Sequence, residues 1–107
     1  METHLAPEAA AVRHILTSPS IADRCAPYVT VDAVDWYGIF DEAEAMSSGE
    51  QLLVRVASDL ETREGTVALW ELSERLARPT FERVLEALEL ARGGVVAAPG
   101  EALRAAA

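Results

Sequence analysis

The chain has no lysine, no asparagine and a single cysteine among its 107 residues. All nine basic residues are therefore arginine, a composition with abundant alanine that is typical of a GC-rich bacterial genome. The lone Cys25 excludes an internal disulfide and fits a reducing compartment. No apolar run approaches the roughly 20 residues of a membrane span, and the N-terminus lacks the pattern of a signal peptide. These absences predict a cytoplasmic protein without a membrane segment.

Positive charge is scarce and unevenly placed. Nine basic residues face eighteen acidic ones, for a net charge of −9, which opposes non-specific binding to nucleic acid or anionic lipid. Residues 1–49 hold two arginines and eight acids (net −6), whereas residues 50–107 have a net charge of −3. Between Cys25 and Val54 there is no basic residue and there are six acids. This segment predicts a protein partner with a basic surface.

The sequence also has no recognisable catalytic or metal-binding pattern. His4, His14 and Cys25 do not have the spacing of zinc ligands, and neither a calcium loop nor a nucleophile elbow is present. Paired acids such as Asp41 and Glu42 perform acid–base catalysis only where a pocket shifts their pKa values. We therefore expect no enzyme activity, no cofactor and no metal, and a buried, inert Cys25 is favoured over a reactive one.

The length, hydrophobic content and residue spacing of the chain predict a folded, mainly α-helical single domain. The length is close to that of a common domain, and 50% of the residues are hydrophobic, which argues against disorder. The helical patterns indicate a compact bundle of about five helices. Residues 1–31 are interpreted as an N-terminal helical extension, and residues 32–107 as the helical core.

Three helical segments are predicted in the N-terminal half. Residues 8–17 form a helix after Pro7, with an apolar stripe, and residues 20–25 add one turn. Residues 28–31 are an extended connection. Asp32 is the predicted N-cap of a helix that reaches about residue 45, although Gly38 costs it up to about 1 kcal/mol against alanine. One face of that helix is apolar: Trp36, Ile39, Phe40 and Ala43.

The next helix has clear start and stop signals in the sequence. Ser47 and Glu50 have the spacing of a capping box, in which each side chain satisfies a backbone N–H at the start of a helix. An apolar stripe follows and Gly65 is the predicted stop. Residues 66–68 could form a short strand. The stripe consists of Leu52, Leu53, Val56 and Leu60.

Two further helices are predicted on either side of Arg78 and Pro79. Because the residue before proline avoids the α region, the first of them ends there, and Thr80 caps the second. Gly93 and Gly94 end the last helix, and residues 95–97 are a second candidate strand before a turn at 99–100. The first helix carries Leu69, Leu72 and Leu76, and the second buries Phe81, Val84, Leu85, Leu88 and Ala91.

The segment VALWELSERLARPTFERVLEALELARGGVV resembles the part of a winged helix-turn-helix domain that contains the second helix, the recognition helix and the first wing strand. The resemblance covers roughly residues 50–104 and implies short β-strands. It also implies that the helix at residues 80–92 enters the major groove of DNA, with Arg78, Thr80 and Arg83 nearest the bases or phosphates. The sequence differs from that of a DNA-binding domain in two ways. The helix carries glutamates, and the wing segment has no basic residue to contact phosphate.

A second, local resemblance involves the sequence MSSGEQ at residues 46–51, which is similar to the signature loop of ABC-type ATPases. A phosphate-binding loop needs a lysine, which this chain does not have. The capping box accounts for these residues as the start of a helix, so nucleotide binding is not needed to explain them.

These patterns favour a small, acidic, non-catalytic protein-interaction module. Its acidic helix has no local arginine, and its acids near the C-terminus oppose the helix dipole. The alternative is a winged-helix DNA-binding regulator that uses Arg78, Thr80 and Arg83. Homodimerisation through Trp70 or the C-terminal tail is left open. The predicted partner-binding residues are Asp35, Tyr37, Asp41, Glu42 and Glu44.

Overall fold

The computed structural model describes residues 6–96 and confirms a compact, mainly helical fold. A 3₁₀ turn at Ala26–Tyr28 follows the second helix, and an isolated antiparallel bridge joins Val29 to Val34. Within residues 6–96, no helix is both long enough and apolar enough to cross a membrane. The described part of the chain contains six α-helices: α1 (Pro7–Leu16), α2 (Ala22–Cys25), α3 (Trp36–Ala43), α4 (Ser48–Thr62), α5 (Leu69–Arg75) and α6 (Arg78–Ala91).

Helix α1 lies at the centre of the core. It packs most extensively against α6 and α4, and the apolar stripe expected from its sequence is buried. From α4, Leu52 and Leu53 reach the same cluster, as do Ile21 and Ile39 from the segments between. Residues 11–25 thus contribute to the same core as α3, α4 and α6. The buried side chains of α1 are Ala11, Val12, Ile15 and Leu16.

The capping box of α4 is confirmed. The Glu50 N–H donates to Ser47 Oγ at 3.2 Å, and the Ser47 N–H donates to Glu50 Oε1 at 2.9 Å. The helix ends at Thr62 because Arg63 adopts the left-handed conformation, with φ 62°. The stop therefore precedes the predicted one at Gly65, which lies in the following loop.

The prediction that Asp32 caps α3 was wrong. The Asp35 N–H donates to the Tyr28 carbonyl at 2.8 Å, so the chain forms a tight reversal that contains Asp32. The helix starts only after it, and Asp35 Oδ1 accepts from the Gly38 N–H at 3.1 Å. A glycine at position 38 lowers the helix propensity of α3, but it also makes room for the Tyr28 ring, which packs where a Cβ would lie.

The strand expected at residues 66–68 does not form. Backbone groups of this segment bond to side chains of α4 and α5 instead of to another strand. The Val67 N–H donates to Asp59 Oδ2 at 2.8 Å, and the Thr66 carbonyl accepts from Arg55 Nη2 at 2.6 Å. Val95 and Val96 are not in a strand either. Ala97, the turn at residues 99–100 and the tail lie outside the described residues.

Helix α6 starts earlier than predicted. Ala77 is its N-cap, and Pro79 lies in the first turn, where a missing N–H costs nothing. Thr80 is therefore inside the helix, and its hydroxyl donates to the Ala77 carbonyl at 2.8 Å. The predicted stop is confirmed, because Gly93 has φ 88° and the Gly94 N–H donates to the Glu89 carbonyl at 2.9 Å.

The predicted buried face of α6 was only partly right. Val84 and Ala87 are buried against α1 and α4, whereas Leu85 remains 50% exposed and Leu88 44% exposed. The core lies on the side of α6 that faces α1. The helix therefore has a second, outward apolar side that the spacing of hydrophobic residues did not separate from the first.

Candidate functional site

Helix α3 presents four side chains to solvent on one side: Tyr37, Phe40, Asp41 and Glu44. Counted from Tyr37 they lie at positions i, i+3, i+4 and i+7, with Glu44 as the C-cap of α3, so they occupy successive turns of one helix face. Tyr37 is 89% exposed, and the other three are also exposed. We call these four residues the α3 face. On the opposite side, Ile39 and Ala43 are buried, which anchors α3 against α4.

The acids of the α3 face, Asp41 and Glu44, form no ion pair with any residue of the described range 6–96. Four glutamates of the C-terminal half are paired instead: Glu71 with Arg55 and Arg75, Glu82 with Arg78, Glu86 with His14, and Glu89 with Arg92. Four of the eight arginines within residues 6–96 thus pair with acids of the C-terminal half, and none of the ion pairs there includes an acid of α3.

The remaining two predicted partner-binding acids have structural contacts. Asp35 caps α3 through the Gly38 N–H, and partly buried Glu42 accepts a long, 3.4 Å hydrogen bond from the Tyr28 hydroxyl. The structure therefore brings Tyr37, Asp41 and Glu44 together on one face and places Asp35 and Glu42 at its margins.

Phe40 belongs to the α3 face, although its helical spacing predicted burial. Its ring centroid lies 6.1 Å from that of Trp36, which is partly buried and donates from Nε1 to Glu61 Oε2. Trp36 thereby covers the core at this edge and leaves Phe40 outside it. The i, i+4 spacing of the two aromatic residues indicated their contact but not which of them lies inward.

The acids of α3 help to raise the pKa values of two side chains packed behind the helix, Tyr28 and Cys25. The pKa of the Tyr28 phenol is raised above its ordinary value of 10.0, first by burial and then by nearby Glu42, with Asp41 and Asp35 adding to the effect. Burial and Glu42 likewise raise the pKa of the Cys25 thiol. Because Cys25 is fully buried and held in its thiol form, the inert interpretation of this residue is favoured.

The residues of the DNA-binding alternative do not form a common basic surface. Arg83 Nε donates to the His14 carbonyl at 2.8 Å, and its Nη2 donates to Thr17 Oγ1 at 2.9 Å, so this side chain joins α6 to the end of α1. Thr80 bonds to its own helix. Arg78 is largely exposed and lies 3.7 Å from Glu82.

We expect Arg83→Ala to lower the free energy of unfolding by about 1–3 kcal/mol, because two hydrogen bonds from a charged donor are lost between α1 and α6. Arg78→Ala is the matched control, since its exposed ion pair should contribute no more than about 0.5 kcal/mol. Urea unfolding followed by circular dichroism measures both. Equal stability of the two variants would contradict a structural role for Arg83.

Residues 6–96 contain no group of three His, Cys, Asp or Glu side chains placed to hold a metal ion. Comparison with known proteins gives no assignment either. No family model, no curated protein and no solved structure matches this chain.

Proposed function

We propose that this chain is a small, non-catalytic interaction module that binds a basic protein through the α3 face. The observation that carries the proposal is the combination on one helix side of two acids that form no ion pair within residues 6–96, Asp41 and Glu44, and two exposed aromatic rings, Tyr37 and Phe40. Exposed aromatic residues of this kind serve as anchors in protein interfaces.

The chemistry of the face suits arginine in particular. A guanidinium group can lie over the ring of Tyr37 or Phe40 while it donates hydrogen bonds to the carboxylate one turn away. Lysine offers a compact point charge and neither planar stacking nor bidentate pairing. The partner we propose is therefore an arginine-containing segment on the surface of a basic protein.

The overall charge would assist this encounter. A net charge of −9 attracts a positively charged partner at long range, and the acids of α3 orient it toward the face. Association should slow as ionic strength rises, because salt screens charges beyond roughly 8–10 Å at physiological concentrations.

The test is a double charge reversal, Asp41→Arg with Glu44→Arg. We expect it to weaken binding of a short arginine-rich peptide by at least about tenfold, or about 1.4 kcal/mol. Calorimetry measures the affinity, and backbone amide shifts in NMR show where the peptide binds. Resonances of Tyr37 and Phe40 should move most.

The matched control is Glu64→Arg with Glu74→Arg, which changes the net charge equally at two exposed positions outside the α3 face. Binding to this variant should fall much less. If both double variants lose affinity to the same extent, binding is non-specific electrostatics and the proposal fails. Tyr37→Ala then separates the contribution of the aromatic anchor from that of charge.

The DNA-binding alternative has less support from the described residues. Its Arg83 is engaged with α1, and its Arg78 lies beside Glu82. Salt-dependent duplex binding that is lost in Arg78→Ala and kept in the α3 reversal would favour that alternative over the one proposed here.

A further inference from the structure

A glycine occupies the first turn of α3, next to Tyr37 of the α3 face. Within a helix glycine is less favourable than alanine, because it loses more backbone freedom on folding. At this position it allows a close contact, since the ring of Tyr28 packs against Gly38 and a Cβ there would overlap the ring atoms Cδ1 and Cε1. Gly38 is buried and Tyr28 is partly buried. We call this the Tyr28–Gly38 contact.

Tyr28 holds α3 at three places. Its carbonyl accepts from the Asp35 N–H at 2.8 Å, its ring packs on Gly38, and its hydroxyl donates to Glu42 Oε1 at 3.4 Å. Gly38 and Glu42 are four residues apart, so they lie on the same side of α3 in successive turns. That side is covered, whereas the α3 face is exposed. Contacts along the covered side resist rotation of α3 about its own axis.

The segment that follows Tyr28 is itself fixed to the core helix α1. Arg13 Nη2 donates to the Thr30 carbonyl at 2.6 Å and to the Val31 carbonyl at 3.2 Å. A charged side chain of α1 therefore holds the reversal between Tyr28 and Asp35. Tyr28 also packs against the hydrophobic core. Its position is thus set by the body of the protein, and the Tyr28–Gly38 contact passes that position on to the first turn of α3.

We propose that Tyr28 is the positioning residue of the α3 face. Its ring, packed on Gly38, sets the rotation of α3 and keeps Tyr37 and Asp41 turned outward together. One guanidinium group can contact a ring and a carboxylate at once only if both project from the same side of the helix. A face that is ordered before binding loses less conformational freedom when the partner arrives, so its affinity is higher. The inference rests on the proposed function, because it concerns the affinity of the same surface.

Calorimetry with the arginine-rich peptide used for the charge reversals tests this role. Gly38→Ala should weaken binding by about three- to tenfold, the factor expected when side chains of the face must be ordered during association. Tyr28→Ala should have an effect of the same size. Adding Gly38→Ala to Tyr28→Ala should cost no further affinity, because the ring that a Cβ displaces is already absent. Tyr28→Phe keeps the ring and should bind within about twofold of wild type.

Unfolding in urea gives a second readout, whose sign separates this contact from ordinary helix propensity. Alanine in place of glycine within a helix normally raises the midpoint of unfolding. Gly38→Ala should lower it, because the new Cβ and the Tyr28 ring cannot occupy the same space. Circular dichroism confirms that each variant keeps its helices. Gly38→Ala and Tyr28→Phe keep the test decisive even if Tyr28→Ala does not fold.

Ile15→Val is the control that separates positioning from stability. It removes one buried methyl group from α1 and lowers stability, but it alters neither residue of the Tyr28–Gly38 contact, so peptide affinity should not change. An equal loss of affinity in Ile15→Val would overturn the inference, because affinity would then follow stability alone.

The binding data also distinguish failure of the inference from failure of the proposed function. If wild type binds the peptide at the α3 face, and Gly38→Ala and Tyr28→Ala bind it equally well, the positioning role is wrong and the proposed function stands. If wild type itself does not bind the peptide, both are wrong.

Discussion

Replacing Ile15 by alanine is expected to lower the free energy of unfolding by about 2–5 kcal/mol. Ile15 is fully buried in the middle of the core, where α1 packs against both α4 and α6. Truncation removes apolar contacts and leaves a cavity that surrounding side chains fill only in part. A domain of this size has about 5–15 kcal/mol of stability in total, so the loss is a large fraction of it.

Chemical denaturation at neutral pH measures this effect, with Leu69→Ala as the control. Leu69 is largely exposed, and its truncation should change stability by no more than about 0.5 kcal/mol. If the two variants unfold at the same denaturant concentration, α1 is not packed as described. If Ile15→Ala is already unfolded without denaturant, Ile15→Val provides the milder test, with an expected loss of about 0.5–1.5 kcal/mol.

Replacing Glu71 should disrupt the junction between α4, α5 and the loop that joins them. Glu71 is 7% exposed, and its carboxylate is engaged on three sides. It accepts from the Ala68 N–H at 2.9 Å, from Arg55 Nη1 at 3.2 Å and Nη2 at 3.3 Å, and lies 3.4 Å from Arg75. Glu71→Ala leaves the Ala68 N–H and both guanidinium groups without this acceptor, so we expect it to destabilise the protein far more than loss of an exposed pair.

Because of the same contacts, the stability of the folded protein depends on pH in the acidic range. The Ala68 N–H, followed by the hydrogen bond and charge of Arg55 and the charge of Arg75, holds the pKa of Glu71 below its ordinary value of 4.5. A lowered pKa in the folded state means that the carboxylate stabilises the protein above pH 4.5. That contribution disappears as the pH falls from 4.5 through the lower pKa of the folded state.

Thermal unfolding of wild type and Glu71→Gln at a series of pH values checks this dependence. The difference in melting temperature between them should be constant near neutral pH and shrink in acid. Glu82→Gln is the control, because Glu82 pairs with exposed Arg78 on the surface. A difference between wild type and Glu71→Gln that persists unchanged into strong acid would contradict the assigned role of the carboxylate.

Features that depend on residues a few positions apart could be predicted from the sequence. Ser47 and Glu50 form their capping box, Gly93 ends α6, and the apolar stripe of α1 is buried as expected. The exposed Tyr37 beside the acids of α3 was also identified from the local pattern. Each of these depends on hydrogen bonds or periodicity within one helix, so the local sequence contains the necessary information.

Other features depended on contacts with residues outside the helix or loop concerned. Asp35 replaces Asp32 as the cap because the reversal between Tyr28 and Asp35 places Asp32 before the helix. A loop replaces the strand at residues 66–68 because Asp59 and Arg55 satisfy its backbone. Arg83, expected at a DNA surface in the alternative function, bonds to α1, from which it is separated by 66 to 69 positions.

The sequence by itself determined the mainly helical content, the capped start of α4, the end of α6 and an acidic segment without arginine. Only the tertiary structure decided which side of each amphipathic helix is covered. It left Phe40, Leu85 and Leu88 exposed, although their spacing is that of buried residues. The physical reason is that helical periodicity places apolar residues on a common side, whereas the number and position of neighbouring helices determine how much of that side is removed from water.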